Sequence, residues 1–257
     1  MKLAFSTLPV PNYTAKELAD LCHAHGMVAE LRLQPGKEIP TGEGLVYSNA
    51  GSSVCLFGYN EEQIKQAKAL LLSLEAAGIP AMRVFIGNFT RRHDDPRREI
   101  DREGVVKALA ELCEVGPELW LETHNEYATG RSILPLIEKV NHPRFGVIWD
   151  ILHPIEDGES PAQTMAYIGK YIRHVHIKDA KPNPDPAMHD WYYTPLGEGE
   201  MPVKEILAEL EKAGFDGYCS LEWESAWREE LKGVCDDPDV LLSTYRRYME
   251  NLSFTPT

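Results

Sequence analysis

Apolar and polar positions fall along the chain in two kinds of block. Short β-branched or apolar runs alternate with longer stretches of helical period, the rhythm of repeated βα units around a parallel sheet. A strand over Lys2–Leu8 leads to a helix that Thr14 caps, with Glu17 three residues on in capping-box spacing, and that ends near Gly26. Met27–Leu33 and Gly44–Asn49 read as the next two strands, joined by a short Pro/Gly-rich connection. Asn60 caps a helix to Ala77, stopped by Gly78 and Pro80, before a strand at Met82–Gly87 and a helix over roughly Arg98–Val115.

From there the rhythm is regular. Strand Leu119–Asn125 precedes a helix from about Ser132 to Val140, strand Phe145–Asp150 a helix at Pro161–Tyr171, and strand Arg173–Lys178 closes the run. Lys181–Glu200 breaks it with four prolines, two glycines and the aromatics Trp191, Tyr192 and Tyr193, which predicts a functional loop. Helix Val203–Ala213, strand Tyr218–Glu222 and a closing helix from Asp239 to about Leu252 complete the chain. Eight strands in 257 residues fit one α/β domain, a (β/α)8 TIM barrel over residues 1–257 with a long active-site loop at about 180–200.

Charge narrows the partners. Lys plus Arg number 26 against 40 Asp plus Glu, a net charge of −14 that would repel a phosphate backbone, so no nucleic-acid partner is expected. No run approaches the ~20 apolar residues of a membrane span and Met1–Val10 lacks the features of a secretory signal, which predicts a cytoplasmic protein without a membrane partner. The five cysteines are scattered without a Cys-x-x-Cys pair, against a disulfide framework or a structural zinc site. Neither Gly-x-Gly-x-x-Gly nor Gly-x-x-x-x-Gly-Lys occurs, so a nucleotide fold loses its main support.

The chemistry shows as polar residues inside strands that should be apolar on both faces, where an ionisable group is costly unless paired or metal-bound. Period-2 alternation sets Glu122 and His124 opposite Leu121, sets His174, His176 and Lys178 opposite Val175 and Ile177, and sets Ser220, Glu222 and Glu224 opposite Leu221 and Trp223. Asp150 ends the apolar run from Phe145, with His153 three residues beyond. Each lies near the C-terminal end of its strand, the face on which barrel enzymes build active sites. Glu122, Asp150, His176 and Glu222 would then meet at one mouth. Three carboxylates and one imidazole form a hard, oxygen-rich donor set for one divalent ion, Mn²⁺ first, with Mg²⁺, Co²⁺ or Zn²⁺ as alternatives.

Other positions read more plainly. His174 is expected to pack beside the ligand His176, and Glu224 to sit at the rim or touch substrate. His23, His25, His93, His142 and His189 read as surface residues. Glu30, Arg32 and Arg83 suggest an ion pair inside the barrel, and Arg91, Arg92, Arg97 and Arg98 beside Asp94, Asp95 and Glu99 a solvated loop. Trp191, Tyr192 and Tyr193 suit either a lid closing over the mouth or a subunit contact in a homo-oligomer.

At these residues the sequence resembles the xylose-isomerase-like barrel superfamily, specifically the sugar phosphate isomerase/epimerase group that includes the ketose 3-epimerases. The resemblance runs through Leu121-Glu122 with Asn125, Trp149-Asp150-Ile151-Leu152-His153, His174-Val175-His176-Ile177-Lys178-Asp179, Pro195-Leu196-Gly197-Glu198-Gly199-Glu200, and Gly214-Phe215-Asp216-Gly217-Tyr218 leading to Leu221-Glu222. It implies that Glu122, Asp150, His176 and Glu222 are metal ligands and that His153 holds a substrate oxygen. It also implies that Glu122 and Glu222 are the catalytic pair, moving protons on opposite faces of a metal-held cis-enediolate. His124, Lys178 and Trp191 join His153 as expected contacts to a small polyhydroxylated carbonyl substrate. Where epimerases of this group carry an Arg shortly after the metal-binding His, this chain has Asp179-Ala180-Lys181-Pro182-Asn183. The alternative is therefore a dehydratase of the same superfamily, of dehydroshikimate or inosose type, with His124 or His153 helping hydroxide leave. An apurinic-site endonuclease and a noncatalytic metal- or sugar-binding barrel rank below both.

Overall fold

The computed structural model describes residues 1–88, 97–185 and 190–252. Eight strands form the barrel: β1 (Lys2–Ser6), β2 (Val28–Arg32), β3 (Tyr47–Leu56), β4 (Ala81–Ile86), β5 (Glu118–Glu122), β6 (Phe145–Asp150), β7 (Ile172–Ile177) and, after a two-stranded hairpin of β8 (Asp179–Lys181) and β9 (Tyr192–Thr194), β10 (Tyr218–Leu221). They close in the order β1-β10-β7-β6-β5-β4-β3-β2, all pairs parallel. This is the closed (β/α)8 barrel that the alternation of elements predicts.

The helices start and stop where local chemistry dictates. In α1 (Ala15–His25) the Thr14 hydroxyl accepts from Glu17 N while the Glu17 carboxylate accepts from Thr14 N, and Gly26 ends the helix in the left-handed region at φ 58°. Asn60 caps α2 (Glu61–Ala76) and Asp101 caps α3 (Arg102–Cys113). The latter helix is shorter at both ends than its sequence pattern. Thr129 caps α4 (Gly130–Val140) and Ser160 caps α6 (Pro161–Ile168), beyond which Gly169–Tyr171 tightens into a 3-10 turn. The remaining helices are α5 (Leu152–Glu156), α7 (Val203–Lys212) and α8 (Pro238–Asn251).

Other features also differ from the sequence reading. Strand β3 spans Tyr47–Leu56 rather than Gly44–Asn49: residues 42–45 form a turn in which Leu45 N donates to Gly42 O and Gly44 takes φ 79°, and the strand runs on past Asn49 to pair with β4 as far as Leu56. Helix α5 follows Asp150 directly and places His153 beside it; Pro154 is tolerated because it stands in the first turn, where its missing N–H would have no partner. The breaker-rich stretch after β7 holds the β8–β9 hairpin. Asp179 anchors that hairpin: Oδ1 accepts from Ala180 N and Met201 N (2.9 and 3.3 Å), and Oδ2 from Gly197 N and Gly199 N (2.7 and 3.2 Å). A Cβ at Gly199 would lie 2.1 Å from Asp179 Oδ1, so only glycine fits there.

Alternation along the strands sorts the core into two layers. Leu3, Phe5, Val84, Leu119, Leu121, Val147, Trp149, Val175, Ile177, Cys219 and Leu221 belong to the large core in which strands and helices pack together. Ala81, Trp120 and Ile148 form a separate small cluster. The same strand faces carry Arg83, Glu122 and Asp150 two residues further on, so these charged groups share the barrel interior with that apolar plug. Among the described residues, no helix is long and apolar enough to cross a membrane.

Candidate metal centre and active site

Parallel register brings four strand ends to one height. Asp150 pairs with His176 across β6 and β7, Ser220 with His176 across β10 and β7, and Glu122 with Ile148 across β5 and β6. Glu222 follows β10 directly, its N–H donating to Ile177 O. As a result one ligand atom from each of Glu122, Asp150, His176 and Glu222 lies within 4.8 Å of the others, and all four residues are buried. From His176 Nδ1 the carboxylates stand at 3.6 Å (Glu122 Oε1), 3.8 Å (Asp150 Oδ2) and 3.3 Å (Glu222 Oε2).

The donor set suits a divalent ion by its own unmet needs. His176 Nδ1 is buried and has no hydrogen-bond partner among the described residues, while three carboxylates surround it. Lys178 Nζ stands 2.7 Å from Asp150 Oδ2, 2.7 Å from Glu222 Oε2 and 2.8 Å from Glu224 Oε1. Arg83 Nη1 donates to Glu122 Oε2 at 2.8 Å. Arg32 Nη1 lies 3.7 Å from Glu222 Oε1 and Arg228 Nε 3.3 Å from Glu224 Oε2, and the three cluster acids with His176 would suit one divalent cation.

The electrostatics follow from this crowding. Burial raises the cost of charging Glu222, but the His176 imidazole and the Lys178 ammonium outweigh it and hold the carboxyl well below its usual range. Asp150 is lowered likewise, against burial, by Lys178 and His153, and Glu122 by Arg83 and His176. Burial disfavours protonated His176, yet Glu222, Glu30 and Glu122 together raise it well above the ordinary imidazole value. The carboxylates that favour positive charge on His176 would equally favour a divalent cation beside it.

The two histidines expected at the substrate lie together, His124 and His153 meeting edge to face with ring centroids 4.4 Å apart. His153 Nδ1 bonds Glu156 Oε2 at 2.9 Å and its Nε2 stands 3.8 Å from Asp150 Oδ2; Asp150 and Glu156 raise its pKa against burial. Burial and the neighbouring His153 push His124 down to about 3, so it is a neutral ring at working pH. Trp191 is half-buried and donates its backbone N–H to Glu156 Oε1, linking the loop to the carboxylate that His153 bonds. Of the three loop aromatics, Tyr193 comes nearest the carboxylates. It is buried, its ring lies 5.3 Å from Lys178 Nζ, and its hydroxyl accepts from Arg228 Nη2 at 3.1 Å. Tyr192 is exposed.

The expected ion pair among Glu30, Arg32 and Arg83 is not what forms. Arg83 pairs with Glu122, and Arg32 Nη1 lies 3.7 Å from Glu222 Oε1. Glu30 instead receives His174 and His176, each through Nε2 at 3.0 Å. His174 therefore packs beside the ligand histidine as expected, and Glu224 bridges Lys178 and Arg228 at the rim. His23 is exposed, whereas His25 bonds Asp239 and His142 receives Arg144 N, so both are half-buried and partnered. His93, His189, Arg91, Arg92, Asp94 and Asp95 lie outside the described residues. Arg97 is exposed, and so is Arg98, which stacks over Phe57. Sequence reasoning missed Glu156 and Arg228; neither interrupts a strand pattern, so neither left a signal.

The fold and site define a closed parallel (β/α)8 barrel with a buried carboxylate–imidazole cluster at its C-terminal mouth, and the sequence comparison narrows that class. The chain belongs to the xylose isomerase-like TIM barrel family, whose profile matches residues 57–243. Fructoselysine 3-epimerase of Escherichia coli O157:H7 is 30% identical over 135 residues, covering 49% of this chain and 47% of that protein. 3-Dehydroshikimate dehydratase of Bacillus anthracis is 29% identical over 140 residues, covering 48% and 49%. The chain thus spans about half the length of the curated relatives it matches. A crystal structure of IolI protein with a bound zinc atom shares the fold at TM-score 0.73 and 18% identity, over 98% of each chain.

Proposed function

We propose that this protein is a divalent-metal-dependent isomerase or epimerase of a small polyhydroxylated carbonyl compound, a sugar or sugar-like ketone. The observation that carries the reading is the buried His176 Nδ1, unpartnered and ringed by Glu122, Asp150 and Glu222 within 4.8 Å. Those four residues would hold the ion, and the oxygen-rich donor set favours Mn²⁺. A bound divalent ion supplies Lewis-acid polarisation of a carbonyl and its neighbouring hydroxyl.

The chain's own groups do the rest. One of Glu122 and Glu222, kept anionic by Arg83, His176 and Lys178, takes a carbon-bound proton on one face, and the other, protonated by exchange with solvent, returns one on the opposite face. His153, held by Glu156, orients a substrate oxygen. Lys178 offers positive charge where negative charge grows on the substrate, and neutral His124 donates or accepts a hydrogen bond. Trp191 and Tyr193 exclude water from the mouth. The five cysteines are all unpaired, which supports a reducing compartment, the cytoplasm.

The epimerase relative supports proton transfer at carbon. The His124–His153 pair and the dehydratase relative favour a second reading, water loss assisted by one of those rings. Incubation with a panel of ketoses and with dehydroshikimate in D₂O separates them. Deuterium entering the sugar at carbon, with an epimer or aldose as product, is the expected result. Growth of an aromatic, catechol-type absorbance from dehydroshikimate, without deuterium-labelled epimer or isomer, would replace it with the dehydratase.

A further inference from the structure

The most unusual buried group outside the proposed ligands is Glu30. Its side chain is 1% exposed, and it lies in β2, across the barrel from the metal cluster's strands. Among the described residues no Lys or Arg forms an ion pair with it, the Arg32 charge acting on it only from further off. Four donors take up its two oxygens: Oε1 accepts from His176 Nε2 at 3.0 Å and Asn49 Nδ2 at 3.3 Å, and Oε2 from His174 Nε2 at 3.0 Å and Ser220 Oγ at 2.7 Å. Burying an anion on such terms is costly, and an apolar residue of similar size would fill the space at less cost. The arrangement therefore calls for a reason other than packing.

The geometry supplies one. An ionised carboxylate can only accept, so the Nε2 atoms facing Glu30 carry the protons, and the lone pair of neutral His176 is left on Nδ1. Nδ1 is the atom turned toward Glu122, Asp150 and Glu222. The other end of the carboxylate is fixed in turn. His174 stacks on Trp120 with centroids 5.9 Å apart at 24°, and a Cβ at Gly146 would stand 2.9 Å from Trp120 Cδ1, so glycine there leaves the indole its place.

We propose that Glu30 is a positioning residue for the metal centre: it fixes the tautomer and ring orientation of His176, and its negative charge strengthens Nδ1 as a donor. Carboxylates that accept from a ligand histidine in this way typically contribute about 10–100-fold to metal affinity. The proposal rests on the metal reading given above.

Cobalt binding tests it without any substrate. Ion-free wild type, Glu30→Gln, Glu30→Asp and His174→Gln are titrated with Co²⁺, reading the dissociation constant and the visible d–d spectrum, with circular dichroism confirming the fold. Glu30→Gln is expected to weaken Co²⁺ binding about 10–100-fold and to shift the visible band. His174→Gln disturbs the same carboxylate equally deep in the barrel but leaves the His176 bond, so it should stay within about threefold of wild type. Should Glu30→Gln not fold, Glu30→Asp, one methylene too short to reach both rings, must lose affinity in the same direction. Wild-type affinity in the folded Glu30 variants, or an equal loss in His174→Gln, overturns the proposal and leaves Glu30 a core residue. A wild type that binds no Co²⁺ removes the metal reading itself.

Discussion

Strands β5, β6, β7 and β10 carry Glu122, Asp150, His176 and Glu222 to the mouth, whereas β4, the hydrogen-bonded neighbour of β5, and β2, two strands beyond β10, carry Arg83 and Arg32. The first set brings carboxylates and an imidazole together; the second supplies fixed positive charge. The two arginines are not equivalent. Arg83 is 1% exposed and bonds Glu122 at 2.8 Å, while Arg32 is 20% exposed, reaches Glu222 only at 3.7 Å and lies over the Trp227 ring. The difference teaches that the cluster acids are kept anionic from within the barrel before any ion arrives, and that Arg32 stands near the mouth with donor capacity to spare.

The largest expected effect is on the first set. Glu122→Gln or Glu222→Gln should lower turnover by roughly 10²–10⁴-fold with an unchanged circular dichroism spectrum, because each removes a proton-transfer group while keeping its shape. Wild-type turnover in either would dissolve the distinction between the two sets.

Arg83→Met comes next. It breaks a buried pair and leaves Glu122 without its cation, so urea unfolding of the ion-free protein should show a loss of about 3–5 kcal/mol, reduced by saturating divalent metal. A loss below about 1 kcal/mol would mean that the facing charges contribute nothing to the fold.

Acidity offers a third handle. His176 is raised well above the ordinary imidazole value in the ion-free cluster, so the ion displaces a proton and affinity rises with pH. As long as His176 remains protonated, affinity should change about tenfold per pH unit, with about one proton released on binding. Calorimetry in two buffers of different ionisation enthalpy reads that number; zero protons would place the neutral ring in the resting cluster. The acids have the opposite sign. Asp150 and Glu222 are depressed, so their contribution to stability is complete above the usual carboxylate range and is lost on acidification through their lowered values.

The smallest stability effect belongs to Arg32→Gln, expected to cost less than about 1 kcal/mol because its pairing with Glu222 is long and partly solvated. The same variant should raise KM more than it lowers kcat. A cost as large as that of Arg83→Met would make the two arginines one device.

The first set was legible in the sequence because an acid at the end of an apolar strand stands out against its neighbours, as Glu122 does after Leu121 and Asp150 after Trp149. Arg83 and Glu30 stand out in the same way, yet their partners could not be read. Glu30 meets His174 from 144 residues away, across the interior rather than along the sheet, and no periodicity encodes which side chains touch there. Helix α5 and the β8–β9 hairpin were hidden for another reason. Pro154 and the proline-rich stretch after Lys181 advertise breaks, and only tertiary contacts such as the Asp179 clip show that ordered elements persist around them.

That clip has a bearing on placement. Asp179 ties the base of the hairpin to the backbone at Gly197, Gly199 and Met201. Just before β9, Trp191 N donates to Glu156 Oε1 and Asp190 faces Arg228. The hairpin is thus moored to the barrel at two points, so the position of its aromatic strand is inherited from the barrel rather than set by its own turn.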